Sequence, residues 1–175
     1  MAVKHILSMP DKRLRTKAQP IAKVDARIQN LMGDLFDTMK WEDQGIGLAA
    51  NQIGILERVI VIDIGPEHNK EPLYMANPEI LFFSDDIQTF SEGCLSVPEQ
   101  YSDVTRPQTI QVRYIDQHNK TQELSASGLL STCIQHEVDH LNGILFVEHL
   151  PPIRRKLVVS RALKGAKKIT HPLQG

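Results

Sequence analysis

The chain has 175 residues, 41% of them hydrophobic and 23% charged, with a formal net charge of −1. That length suits one domain with its own core, and that composition excludes an intrinsically disordered chain. The charge balance gives no general attraction to DNA or membranes, and no apolar run approaches the ~18 residues of a membrane span.

Taken in chain order, residues 25–40 predict an amphipathic helix, because Ile28, Leu31, Met32, Leu35, Phe36 and Met39 recur at spacings of three and four. A Gly-containing stretch, Gly45-Ile46-Gly47-Leu48-Ala49-Ala50-Asn51-Gln52, follows it. Residues 58–63 are rich in β-branched side chains and predict a buried strand, and residues 72–83 a second one. Residues 108–115 and 121–124 can pair across the polar turn Asp116-Gln117-His118-Asn119-Lys120. A helix is expected from about Gly128 to Leu141, with Ser127 as N-cap and Asn142-Gly143 as its stop. Pro151-Pro152 opens a final helix. Strands in the middle with helices set around them predict an α+β fold in one domain over residues 1–175. In that fold, antiparallel strands pack around the central helix and a basic C-terminal helix begins at about 152.

The strongest chemical signal is His136-Glu137-Val138-Asp139-His140, an H-E-x-x-H pattern on the predicted helix. Residues four apart share a helix face, so both imidazoles can reach one metal ion. Glu137 lies beside them and can take a proton from an attacking water. A helix carrying two surface histidines is the bland alternative. Catalytic sites of this kind usually have three protein ligands. The continuation H-x-x-G-x-x-H is broken, since Gly143 is in place but Phe146 stands where the third histidine belongs. His149 comes three residues too late, and Glu148, the last acidic residue, precedes the final helix instead of sitting within it. Cys133 shares the helix face, but its Cα lies ~10 Å along the axis from that of His140, at ~1.5 Å per residue. It reads as a small core or pocket residue. Cys94, in Glu92-Gly93-Cys94-Leu95-Ser96, comes from elsewhere in the chain. Taken alone, a cysteine beside a glycine is a weak pointer, so these residues by themselves leave the third ligand open.

Gly45-Ile46-Gly47-Leu48-Ala49-Ala50-Asn51-Gln52, Glu92-Gly93-Cys94-Leu95-Ser96 and Gln135-His136-Glu137-Val138-Asp139-His140 together resemble, in order, the three signature segments of bacterial peptide deformylase. The resemblance runs from about Val3 into the final helix. It implies an enzyme that removes the formyl group from the N-terminal methionine of new proteins and releases formate. It implies one divalent metal ion held by Cys94, His136 and His140, with a fourth position left for water. Ferrous iron is the metal expected from the family, and the site chemistry also allows zinc, nickel or cobalt. Glu137 is then the general acid/base, and the Gln52 amide and the Leu95 backbone N–H face the formyl oxygen. Ile46, Leu129 and Cys133 are expected to line a pocket for the methionine side chain, and the backbone of Gly45 to Gly47 to pair with the extended peptide. Glu92 and Arg106 read either as an ion pair that holds the Cys94 loop or as a solvated surface pair. Tyr101 follows Gln100 where bacterial relatives often carry arginine, which leaves a cationic contact to the peptide without a candidate.

The competing readings are an H-E-x-x-H metallopeptidase, which lacks its third ligand, and a non-catalytic metal-binding module, which leaves Glu137 without a task. The opening Met1-Ala2-Val3-Lys4-His5 has no apolar stretch of the secretory kind, and only two cysteines are present. A cytoplasmic location is the expectation. From Pro152 onward the chain carries seven basic and no acidic residues, so that segment is +7 and the remainder −8. Ile153, Leu157 and Val158 are expected to dock this helix and leave its basic side free, either as a solvated face or as a contact to the ribosome, where nascent formylmethionyl chains emerge.

Overall fold

The run Val59-Ile60-Val61-Ile62 is buried at every position, which a strand achieves only when both faces of its sheet are covered. In the structure, a computed structural model that describes residues 2–42, 45–67 and 71–169 (side chains only to residue 165), this strand lies between two helices. The strands are β1 (Gly47–Ala49), β2 (Val59–Ile62), β3 (Leu73–Phe83), β4 (Ile87–Cys94), β5 (Val97–Pro107), β6 (Thr109–Ile115) and β7 (Thr121–Ser127). The helices are α1 (Ala26–Trp41), α2 (Gly128–Leu141) and α3 (Pro152–Ile169), with short 3-10 turns at Lys12–Arg15, Ala50–Ile53 and Phe146–His149. Five strands form an antiparallel sheet in the order β1-β2-β3-β6-β7, and β4 and β5 form a separate antiparallel hairpin.

Strand side chains alternate between faces, and this divides the core. Val59 and Val61 point to α1, where they meet Ile28, Leu31, Met32, Leu35 and Met39. Ile60 and Ile62 point to α2, where Ile134, Val138 and Leu141 cover them with Met75, Ile110 and Val112. A third cluster joins Leu14, Val97, Val104, Leu145, Phe146 and Val147 to Val158 and Ala162 of α3. The sheet thus fixes α2 between itself and the hairpin.

The predicted elements are present with small shifts at their ends. The Asp25 side chain accepts a hydrogen bond from the Ile28 N–H and starts α1. Ser127 stands at the N-cap of α2, but its side chain makes no capping bond. The strand foreseen at residues 121–124 continues to Ser127. Strands β4 and β5 were not predicted at all. The docking face of α3 also differs from expectation. Val158 and Ala162 are buried, whereas Ile153 is 88% and Leu157 48% exposed. The reason is phase: Arg154, Val158 and Ala162 recur every four residues, and the Arg154 Nε donates to Ser102 Oγ on β5, so that stripe faces the body. Ile153 and Leu157, one residue earlier in the repeat, turn about 100° away.

Candidate active site

Ile134, Val138 and Leu141 tie one side of α2 to the sheet, so the opposite side presents His136 and His140 to the hairpin, with Glu137 between, against β1. Cys94 arrives at the end of β4, just before the turn into β5. The side-chain donors of Cys94, His136 and His140 all lie within 4.8 Å of one another. Cys94 Sγ is 3.1 Å from His140 Nε2, and the two imidazole rings meet edge to face at 4.9 Å. A thiolate with two imidazoles suits zinc or first-row transition metals and does not suit magnesium or calcium. The residues therefore fit the ion that the sequence implies. Cys133 does not join them. Its thiol lies 3.7 Å from the Ile46 carbonyl oxygen.

Each member is held by named partners. The His136 Nδ1–H donates to Glu92 Oε2 at 2.9 Å, which leaves Nε2 as the ligating nitrogen. Glu92 and Arg106 are both buried and form a two-bond fork at 2.6 and 3.0 Å, so the surface-pair alternative is excluded. Burial opposes the charge on Glu92, but the bonds to His136 and Arg106 outweigh it and hold the carboxyl down to about 2. Burial, with the cations His136 and Arg106 nearby, lowers His140 well below the ordinary histidine range. His136 is also opposed by burial, but its bonds to Cys94 and Glu92 raise it above the ordinary histidine range. The Asn51 amide donates to the His140 backbone carbonyl.

Glu137 is 3% exposed, and its Oε2 has no hydrogen-bond partner among the described residues. Burial pushes its carboxyl up to about 7. It sits against β1 because Gly47 has no side chain. A Cβ on Gly47 would lie 2.6 Å from Glu137 Oε1 and 2.9 Å from Cys133 Sγ. The Gln52 Oε1 accepts from the Ala49 N–H at 2.9 Å, and this fixes which end of the amide points inward. Its Nε2 donates to Ser96 Oγ at 3.1 Å and lies 3.7 Å from Cys94 Sγ.

A cleft of about 480 Å³ opens beside this group. Gly45, Ile46, Gly47, Gln52, Cys94, Leu95, Leu129, Cys133, His136 and Glu137 all line it, and His140 lies fully buried behind. Sequence reasoning missed Ser96, Thr132, Phe90 and Glu99, of which the last three also line the cleft. It also missed the structural task of Tyr101. The ring of Tyr101 lies over Gly93, its cross-strand partner, where a Cβ would come within 2.4 Å of the ring. Among the described lining residues there is no lysine or arginine, in keeping with the loss of the arginine expected after Gln100.

Comparison with known proteins agrees with this arrangement. Residues 3–156 match the family model described as polypeptide deformylase. The peptide deformylase of Agrobacterium fabrum is 45% identical over 168 residues, covering 95% of this chain and 98% of that one. The peptide deformylase of Methylocella silvestris is 44% identical over 171 residues, covering 95% of this chain and 87% of its own length. Among solved structures, a peptide deformylase from Legionella pneumophila superposes with a TM-score of 0.89 at 41% identity, covering 98% of this chain and all of that one. A peptide deformylase from Ehrlichia chaffeensis in complex with actinonin gives 0.89 at 37% identity, covering 94% and 98%. With the matched segments on this cleft and this coverage, the chain belongs to the polypeptide deformylase family and is an enzyme of that kind.

Proposed function

We propose that the centre formed by Cys94, His136 and His140 is where this chain carries out the family's reaction, removal of the N-formyl group from the N-terminal methionine of newly synthesised proteins. The observation that carries this reading is a buried carboxyl, Glu137, whose Oε2 has no partner among the described residues, beside three converging ligand atoms next to an open cleft. Cys94, His136 and His140 would hold one divalent ion, ferrous iron in the native enzyme, with zinc, nickel or cobalt as alternatives. When bound, such an ion supplies Lewis acidity and a more acidic water.

The chain's own residues do the rest. Glu137 takes the proton of the attacking water and passes it to the departing amine, a double task suited to a carboxyl held near 7. The Gln52 amide, anchored through its oxygen, offers its N–H groups to the negative charge that builds on the formyl oxygen. The Leu95 backbone N–H, in the turn after Cys94, is the second donor. Ile46, Leu129 and Cys133 receive the methionine side chain, and the backbone of Gly45 to Gly47 guides the extended peptide. Formate and a free methionine amino terminus leave.

Residues 1–175 act as one catalytic domain, supported by two cores that pack α1 and α2 on opposite faces of one sheet. The enzyme works in the cytoplasm. This is supported by two unpaired cysteines and by the fact that no described helix is long and apolar enough to cross a membrane. The basic face of α3 contacts the ribosome, so that the cleft meets nascent chains as they emerge. The test of the reaction is formate release from a formyl-Met tripeptide by the chain loaded in turn with iron, zinc, nickel or cobalt. Equimolar formate and free amine are expected. No formate with any of the four metals overturns the reading.

A further inference from the structure

His136 hangs from α2 by a side chain with two free torsions, and a metal ligand must be held in both. Glu92 fixes the ring nitrogen. The remaining constraint comes from the 3-10 turn Phe146–His149, which lies outside the three matched segments. We propose that Phe146 and His149 are positioning residues for His136, an inference that rests on the metal reading above.

The two side chains are three residues apart on a 3-10 helix, where such positions eclipse, so both face α2. Phe146 reaches His136 directly: the rings stack at 6.2 Å with 22° between their planes, and Phe146 is 1% exposed. This is the position at which H-x-x-G-x-x-H places a third histidine. The chain returns to the metal helix there as that pattern does, but brings a ring without a donor atom. Phe146 therefore covers the face of His136 and keeps water from it.

His149 acts at a distance through a continuous chain of bonds. The His149 Nε2–H donates to Asp139 Oδ2 at 2.7 Å. The same oxygen accepts from Arg106 Nη1 at 2.8 Å. Arg106 forks onto Glu92, and Glu92 receives the His136 Nδ1–H. Arg106 is thus shared between two carboxylates. A second donor on Asp139 takes part of that oxygen's charge and leaves the guanidinium seated on Glu92. Without His149, Asp139 draws Arg106 toward itself, and the Glu92 fork that orients His136 loosens. The turn is a firm support for this, since Leu145 and Val147 are fully buried and Glu148 pairs with Arg15. The outer end of the chain faces a separate groove of about 710 Å³ behind α2, so His149 can be changed without opening the core.

The test measures affinity for Zn²⁺ and Co²⁺ by competition with a chromophoric chelator, together with thermal unfolding and the Co²⁺ absorption spectrum. His149→Ala is expected to weaken binding about tenfold, the lower end of what outer partners of metal-ligating histidines contribute, and to shift the Co²⁺ bands. His149→Gln keeps an N–H donor for Asp139 and restores most of the loss. Phe146→Leu, which keeps an apolar side chain but no ring, weakens binding by a similar factor. The double variant loses less than the product of the two, because both act on one ring. Val147→Ala, in the same turn but without contact to the chain, lowers the unfolding temperature and leaves affinity unchanged. Native-like binding by His149→Ala, or an equal loss in Val147→Ala, overturns the proposal. A native chain that binds neither ion overturns the metal reading and this one with it.

Discussion

Glu137 shows how a residue's surroundings set its chemistry. A solvated glutamate is a poor proton donor near neutrality, but burial raises this one to about 7, where it can accept and return a proton. Glu137→Gln keeps the shape and removes the base. We expect it to retain bound metal and to lose ~10²–10⁴-fold in turnover, the usual contribution of general acid–base catalysis. Metal content and turnover of one preparation check this, and near-normal turnover with metal bound removes Glu137 from the mechanism. The two cysteines make a matched pair for a second test. Burial, with Glu137 and Glu92 close by, pushes the Cys133 thiol well up, so it stays protonated. Cys94→Ala should lose metal, whereas Cys133→Ala should keep it with a modest packing cost. Metal analysis of both variants decides, and the reverse pattern sinks the assignment of Cys94.

At the scale of elements, the close approach of β1 to α2 depends on one missing Cβ. Gly47→Ala would drive a methyl into Glu137 and Cys133, both held on a rigid helix. The strand must move, and with it the cleft wall that the peptide is proposed to follow. Overpacking of this kind costs about 1–3 kcal/mol. We therefore expect a lower denaturation midpoint together with at least a tenfold loss of activity. A variant with native stability and native turnover would show that β1 yields easily. The hairpin of β4 and β5 teaches a different lesson about patterns. Its inward side carries Glu92, Ser102 and Arg106, all buried, where an ordinary strand carries apolar residues. Those positions serve His136 and α3, so the period-two signal is lost and neither strand could be foreseen. Strand β2, buried on both faces by aliphatic residues, was legible for the opposite reason.

At the scale of the whole molecule, charge is divided between a body of −8 and a C-terminal segment of +7. Arg155, Lys156, Arg161 and Lys164 are exposed on α3, while Lys167 and Lys168 fall where side chains are outside the described residues. Arg154 is partly occupied with Ser102 and contributes to docking. Val158 and Ala162 bury the helix in the third core, so truncation would damage the body as well as the tail. Neutralising Arg155, Lys156, Arg161 and Lys164 is the cleaner change. We expect the native chain to bind ribosomes in a salt-sensitive way, with affinity falling as salt rises. The neutralised chain should bind more weakly at low salt and keep its turnover on a short formylated peptide. Equal ribosome binding by the two forms, at low and moderate salt, would reduce the face to a solvated surface.

The sequence alone determined whatever depends on near neighbours in the chain. Regular spacing announced α1, the β-branched run announced β2, and H-E-x-x-H placed His136, Glu137 and His140 on one helix, because 3.6 residues per turn is a local property. The resemblance of three separated motifs then supplied Cys94 as a candidate ligand. Tertiary structure decided what distant segments do together. It brought the Cys94 thiol to 3.1 Å from His140 and left Cys133 out of the ligand group. It buried the Glu92–Arg106 pair and linked it through Asp139 to His149. It also chose Val158 over Ile153 as the anchor of α3. None of these follows from spacing, since each depends on where a strand, a turn and a helix remote in sequence come to rest against one core.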